Sequence, residues 1–262
     1  MIKLAKADNL PQILDYIGNE RGKCLYLYMD ILKYGIGHPE IQVWMQQDNG
    51  GTVALAMRYR NGIHVYSAGN NYVPGEIVDL IRQVNPTMVC GEKTFVQTLS
   101  KGLPEYGVDN GEVVRLAEAK ADARDPEVSL AQNEDFLPIA QMLKDDEDYG
   151  APFSLEELEF QFRSRQESGL SRSYVLKIGG EVVAHAATAA ESSDLTTLNG
   201  FVVRRDQRRK GYATRVINTL CADLQTEGKA VFSIYYVEQS AKLHHKLGFV
   251  KYCGWCKLFK KV

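Results

Sequence analysis

No stretch of this sequence approaches the roughly 18 apolar residues of a membrane span. The opening residues, MIKLAKADNLPQIL, lack the basic region and long apolar run of a secretory leader. Net charge is nearly absent too. Lys and Arg number 31 against 33 Asp and Glu, a formal −2, so no general field draws nucleic acid or an anionic membrane, and any basic site must be local. Cysteine is sparse: Cys24, Cys90, Cys221, Cys253 and Cys256 are an odd number spread over 262 residues. A chain of that length needs no disulfide stapling, which fits a reducing compartment. These absences predict a cytoplasmic protein with no membrane and no nucleic-acid partner. With 45% hydrophobic residues the chain can bury one large core or two modest ones, and two domains are the better fit.

The division falls at Ala117–Glu127, AEAKADARDPE, which is polar, alanine-rich and ends in a proline, Pro126, that disfavours continuing a helix. It separates domains 1–118 and 128–262. In the first, Asn9–Asn19 and Cys24–Tyr34 read as helices. Strand-like runs follow at Ile41–Gln46, Thr52–Tyr59 and Ile63–Ser67, separated by the hairpin signals Asn49-Gly50 and Asn61-Gly62. A helix over Gly75–Gln83, a strand at Thr87–Cys90, a helix near Thr94–Ser100 and a strand at Glu112–Leu116 complete it. In the second, a strand at Val128–Ala131 leads to helices carrying Phe136, Ile139, Ala140 and Leu143, then Leu155, Leu158 and Phe162. Strands Tyr174–Ile178, Val182–Thr188 and Leu198–Val203 follow. The apolar stripe Ala213, Val216, Ile217, Leu220, Cys221 and Leu224 predicts the best helix in the chain. Strand Ala230–Tyr236, helix Gln239–Leu247 and strand Phe249–Phe259 end it. The common order of elements suggests a tandem repeat of one α/β (α+β) fold.

The stretch Val203–Ala213, VRRDQRRKGYA, lies between an apolar strand and that helix, and five of the seven residues Arg204–Lys210 are basic. Arg208, Gly211 and Ala213 give R-x-x-G-x-A, where small residues let backbone N–H groups approach a ligand as the helix begins. This is an anion-binding geometry suited to a diphosphate. A solvated basic loop is the plainer alternative for such a motif taken alone.

The stretch resembles the acyl-CoA-binding signature of GNAT acyltransferases: Val203 stands five residues before Arg208, and a helix closes in Leu247-Gly248-Phe249. The resemblance implies a mixed, mostly antiparallel sheet flanked by helices and an N-acetyltransferase acting through direct attack by an amine. Acetyl-CoA would be the co-substrate, with no metal. The main chain of Phe201, Val202 and Val203 would pair with the pantetheine arm, and the N–H of Phe201 or Val202 would face the thioester carbonyl. The amides of Arg208, Arg209, Lys210, Gly211, Tyr212 and Ala213 would hold the pyrophosphate. Where the family often has Tyr, four residues before the glycine of L-G-F, this chain has His244. Some family members carry His there, and an imidazole can protonate a leaving thiolate. Leu243 and Leu247 face the core, which permits a cleft-facing His244. Val237 replaces a frequent Asn.

Candidates for a general base are His185, Glu191 and Asp194, with Asp145–Asp148 at the mouth of the acceptor site; each also reads as a surface or strand-face polar residue. Cys253-Gly-Trp-Cys256 looks like a redox C-x-x-C, but it lies within an expected strand rather than before a helix. At the place equivalent to Val203–Ala213, the N-terminal half reads Tyr66–Gly75, with no basic residue. That half is expected to be a degenerate, non-catalytic GNAT-like domain that shapes the acceptor site or an interface. The partners expected are a small-molecule amine acceptor, with a homodimer compatible. A non-catalytic CoA-binding regulatory protein is the alternative function.

Overall fold

The computed structural model describes residues 1–118, 124–146, 150 and 153–261. In chain order its elements are β1 (Ile2–Leu4), α1 (Leu10–Ile17), α2 (Leu25–Tyr34), β2 (Ile41–Asp48), β3 (Gly51–Tyr59), β4 (Gly62–Tyr66), α3 (Pro74–Val84), β5 (Met88–Glu92), α4 (Lys93–Ser100) and β6 (Tyr106–Leu116). Then come β7 (Val128–Leu130), α5 (Phe136–Lys144), α6 (Leu155–Glu167), β8 (Ser173–Ile178), β9 (Glu181–Glu191), β10 (Leu195–Val203), α7 (Tyr212–Thr226), β11 (Ala230–Tyr235), α8 (Glu238–Lys246) and β12 (Phe249–Lys260). The two runs have the same order, strand, two helices, three strands, helix, strand, helix, strand, so the fold is a tandem one. The sequence pattern does not foretell β1 or the Tyr106–Gly111 part of β6. β1 is only three residues long and Asp109-Asn110-Gly111 reads as a turn, and β1 is held by pairing Ile2, Lys3 and Leu4 with Gln46, Met45 and Trp44.

The described residues form two compact units. One comprises Met1–Val114, Ile234–Glu238 and Lys251–Val262; the other comprises Arg115–Ser233 and Gln239–Val250. The composition break predicts contiguous domains, whereas the units interleave; residues 119–123 of that break lie outside the described residues.

In the first unit the strand order is β1-β2-β3-β4-β5-β12-β6. Strands β1 to β4 pair antiparallel, β4 and β5 parallel, and β5 and β12 antiparallel from Met88↔Phe259 to Glu92↔Trp255. Alternation along β4 sends Ile63 and Val65 to one face, where Ile77, Ile81, Phe95 and Leu99 of α3 and α4 pack with Cys256 and Leu258 of β12. His64 and Tyr66 point to the other, where they meet Tyr26 of α2 and Tyr16 of α1.

In the second unit the order is β11-β10-β9-β8-β7. All of these pairs are antiparallel except β10 with β11. Helices α5 and α6 cover one face, packing Phe136, Ile139, Leu158 and Phe162 on Val175, Ala187 and Val202. Helix α7 buries Val216, Ile217, Leu220, Cys221 and Leu224. It covers the opposite face, where Tyr174 donates its hydroxyl to Asp223 at 2.6 Å. Helix α6 begins at a capping box in which Ser154 and Glu157 each satisfy the other's backbone N–H. No helix among the described residues is long and apolar enough to cross a membrane.

A strand from the chain's end thus lies between β5 and β6 of the first unit, and its Cys256 and Leu258 are fully buried there. Residues 1–118 expressed alone lack that strand and expose the cluster it covers. We expect them to show no cooperative urea transition, whereas the full chain does; a fragment unfolding in a single sigmoidal step by tryptophan fluorescence would contradict this.

Candidate active site

The register between β9 and β10 breaks. Asn199 pairs with Ala187 and Val202 pairs with His185, so three steps along β10 oppose two along β9. Gly200 absorbs the extra residue with φ +64°, and a Cβ there would lie 3.1 Å from Phe162 and 3.2 Å from His185. Glycine is demanded both by the backbone conformation and by the space. The turned carbonyl of Gly200 accepts from His185 Nδ1 at 2.7 Å. The ring of Phe162 stands edge-on to the imidazole, centroids 5.3 Å apart at 86°. Burial pushes the pKa of His185 down to about 4, so the ring is neutral at pH 7, with its proton on Nδ1.

Beyond the bulge, Phe201 and Val203 are half-buried and Val202 is buried. The strand then gives way to a loop that returns as α7. Arg208 is extended, Arg209 has φ 67° and Gly211 has φ 83°. Gly211 caps α7 without a side chain, and nothing lies within 4 Å of where its Cβ would stand. The backbone of Tyr212 and Ala213, in the first turn, therefore begins beside open space, with the positive end of the helix dipole there. Counting basic residues overstates the free positive charge of this loop. Arg204 is paired with Glu181 and Asp206 at 2.7 and 2.8 Å. Arg205 donates to the carbonyl of Asp145, and Arg208 pairs with Asp146 at 3.4 Å. Arg208, Arg209 and Lys210 are exposed. Asp145 and Asp146 thus sit against this loop; Glu147 and Asp148, named with them, lie outside the described residues.

The structure places His244 differently from the cleft-facing side chain expected. It is 3% exposed, with its ring near Phe201 (5.7 Å) and Phe249 (5.3 Å). Its Nδ1 lies 2.7 Å from the Ser240 carbonyl and its Nε2 2.8 Å from Ser233 Oγ. A carbonyl only accepts, so Nδ1 carries the proton and Ser233 donates to Nε2. Burial lowers the pKa. Ser233, opposite Leu198 in the parallel β10–β11 pair, is a member of this site that sequence reasoning missed, because a lone serine in an apolar strand carries no signal. Gly200 and Asn199 were missed as well, although an isolated glycine in a strand pattern does mark a bulge.

The other candidates are dispersed. Burial alone would raise the carboxyl pKa of Glu191, but hydrogen bonds from Arg172, Lys229 and Thr188 outweigh it and hold the group ionised. Glu191 lines a cleft of about 570 Å³ beside Arg172 and Lys229. Asp194 accepts from Ser192 at 2.7 Å, and Val237 is exposed. Cys253 and Cys256 lie three residues apart on β12, hence on opposite faces. Burial pushes their thiols to about 12 and about 11, far from the lowered pKa of a reactive pair.

The β-bulge, the parallel strand pair after it and the glycine-capped helix define an acyltransferase-type fold. Residues 136–249 match the family model described as the acetyltransferase (GNAT) family, and this part of the chain is a GNAT domain. The chain matches no curated protein sequence. Among solved structures it is similar to a GCN5-related N-acetyltransferase from Sphaerobacter thermophilus (TM-score 0.67, 14% identity, 98% of this chain and 94% of that one). It also resembles a GNAT-family acetyltransferase from Colwellia psychrerythraea (TM-score 0.61, 13% identity, 100% of both chains). A third likeness is to a tandem GNAT protein from the clavulanic acid biosynthesis pathway (TM-score 0.57, 12% identity, 98% of both). At these identities the likeness is one of fold.

A buried imidazole with a depressed pKa ties stability to pH. The unfolded ring takes a proton below about 6.5 and the folded ring of His185 only below about 4, so its contribution is complete above pH 6.5 and is lost as pH falls through that window. By pH 4.5 the loss from this group alone is on the order of 2.5 kcal/mol. His185→Leu should therefore lose less stability between pH 7 and pH 4.5 than the parent by about that amount, read from urea midpoints. Equal losses in the two proteins would show that the ring is not held neutral.

Proposed function

We propose that the protein is an N-acetyltransferase that moves an acetyl group from acetyl-CoA to a primary amine of a small molecule or amino acid, by direct attack in a ternary complex. The observation that carries this reading is the open turn at Arg208–Ala213. It follows a strand broken at Gly200 and lies at the start of a 15-residue helix. A diphosphate needs backbone amides with room to approach them, and the open space beside Gly211 at the start of α7 leaves that room. The main chain of Phe201, Val202 and Val203 lies where the pantetheine arm would run. The N–H of Phe201 or Val202 would donate to the thioester oxygen as it gains charge. The first unit, whose Tyr66–Gly75 loop has no basic residue, is read as non-catalytic.

His244 is assigned delivery of a proton to the departing CoA thiolate. In this step the amine nitrogen bonds to the thioester carbon, the C–S bond breaks, and the proton lost by nitrogen ends on sulfur. Because the ring is neutral at rest, it can carry that proton only by taking it up on Nε2 and passing it on through the Ser233 hydroxyl, after which it is neutral again. A second reading, a non-catalytic CoA-binding regulator, is favoured by one observation: both nitrogens of His244 are already engaged inside the protein. Thiol release from acetyl-CoA across a panel of amines separates the two, since a regulator binds CoA and releases none.

Gly211→Val places a β-branched residue at positive φ and fills the space beside the amides. CoA affinity measured by calorimetry should fall by about 10-fold or more, roughly 1.4 kcal/mol; an unchanged affinity would remove the pyrophosphate from this turn.

His244→Ala should lower kcat by about 10- to 1000-fold and leave the KM for acetyl-CoA nearly unchanged, as for an interaction made mainly in the transition state. His244→Tyr should recover part of the rate. Full kcat in the alanine variant across pH 6–9 would mean that sulfur receives its proton by another route.

A further inference from the structure

The end of α5 and the turn before α7 bring opposite charge together. Asp145 caps α5 and Asp146 follows it, at the carbonyl end of the helix, where the dipole disfavours a carboxylate. The compensation comes from the turn. Arg205 Nη2 donates to the Asp145 carbonyl, and Arg208 Nη2 stands 3.4 Å from Asp146 Oδ2. The Nε of Arg208 meanwhile donates to the Val203 carbonyl at 3.2 Å.

The two acids are pinned from their own side as well. Asp145 N–H donates to the Gln141 carbonyl at 3.0 Å and Asp146 N–H to the Leu143 carbonyl at 3.2 Å, which prolongs the last turn of α5. Gly150 N–H then donates back to the Asp146 carbonyl at 3.0 Å. A Cβ at Gly150 would run into the Leu143 carbonyl and Lys144 Cα, so only glycine lets the chain return this closely. Lys144 Nζ closes the fold by donating to the carbonyls of Gly150 and Phe153 at 3.2 and 2.6 Å. The backbone of Asp146 is thus held in place, and its carboxylate reaches the arginine that opens R-x-x-G-x-A.

That arginine is the one a diphosphate on the amides of this turn would approach. A guanidinium offers its donors in a fixed fork. With Nε committed to Val203, the Nη2 side of the fork serves either the Asp146 carboxylate or an incoming phosphate oxygen. The carboxylate also repels a phosphate a few ångströms away. Arg205 differs, because its partner is a neutral carbonyl. Asp146 alone of these two acids sets a negative charge against the motif.

We propose that Asp146 is a built-in competitor of the CoA diphosphate: its carboxylate occupies Arg208, and CoA binds by displacing it. This rests on the reading of the turn as the diphosphate site and adds to it a control on affinity. The same exchange couples the two ends of the site, since the diphosphate's arrival unfastens the segment after α5 from the turn.

The test is calorimetric CoA affinity of the full-length protein at low ionic strength in four forms: parent, Asp146→Asn, Arg208→Gln and the double variant. Asp146→Asn should tighten CoA by about 3- to 5-fold, the scale of a partly exposed ion pair. In the Arg208→Gln background the same substitution should change affinity by less than about 1.5-fold, because no pair is left to break. Pantetheine, which has no phosphate, should bind the parent and Asp146→Asn alike. Unchanged or weaker CoA binding in Asp146→Asn would overturn the competition. An equal gain with and without Arg208 would overturn it too, since the carboxylate would then act by repulsion alone, and so would a gain for pantetheine. The outcome with Gly211→Val keeps the two readings apart. If that variant weakens CoA while Asp146→Asn leaves it unchanged, the turn stands as the diphosphate site and the competition falls. If Gly211→Val leaves CoA affinity unchanged, the turn itself is removed, and the competition with it.

Discussion

One turned peptide organises the candidate site. At Gly200 the chain takes a left-handed conformation in the middle of β10, and the displaced carbonyl is captured by a histidine on the neighbouring strand. Any side chain at this position would run into Phe162 and that same ring. The break therefore persists because glycine adopts this φ without strain and the His185 hydrogen bond and the Phe162 ring leave no room for a larger residue. Past the break, Val202 and Val203 rejoin the β9 ladder opposite His185 and Ala184, whereas the pairing of β10 with β11 runs over Leu195–Leu198, before the bulge.

The electrostatics of the site are narrower than the sequence suggests. The loop before α7 is rich in arginine, yet Arg204 is held by two carboxylates and Arg205 and Arg208 reach across to Asp145 and Asp146. What faces an anion besides the exposed Arg209 and Lys210 is backbone: the glycine cap and the first turn of α7. The donor set is thus local, in a chain whose net charge is close to zero. The two buried histidines act by the same economy. Each donates Nδ1–H to a carbonyl, and burial keeps each neutral. They differ in Nε2, which in His244 is met by Ser233 and in His185 has no hydrogen-bond partner among the described residues.

The tandem order shows how one fold can diverge in its loops while keeping its frame. Both runs have the parallel strand pair followed by a helix and strand in the same sequence. Only the second has Gly211 at the helix start; in the first, Pro74 occupies the opening turn of α3 and removes one of the donors that a phosphate would need.

The sequence by itself determined the class of the fold, because hydrophobic periodicity in α7, alternation in the hairpins and the turn signals at Asn49-Gly50 and Asn61-Gly62 are local properties that packing amplifies. It also determined the position of the R-x-x-G-x-A turn, since spacing from Val203 to Gly211 is a chain property. What it did not determine is where polar side chains end up. His244 was legible as a residue of the site but not as a buried one, because its burial depends on Phe201, Phe249 and Ser233, which approach from three other elements. The row in which Ala187 pairs with both Asn199 and Ser173, and the capture of the Gly200 carbonyl by His185, exist only once register is set, and register is a relation between strands. The same holds for β12. Its apolar pattern marks a strand, yet its neighbour β5 lies far earlier in the chain, and only long-range pairing decides which sheet a strand completes.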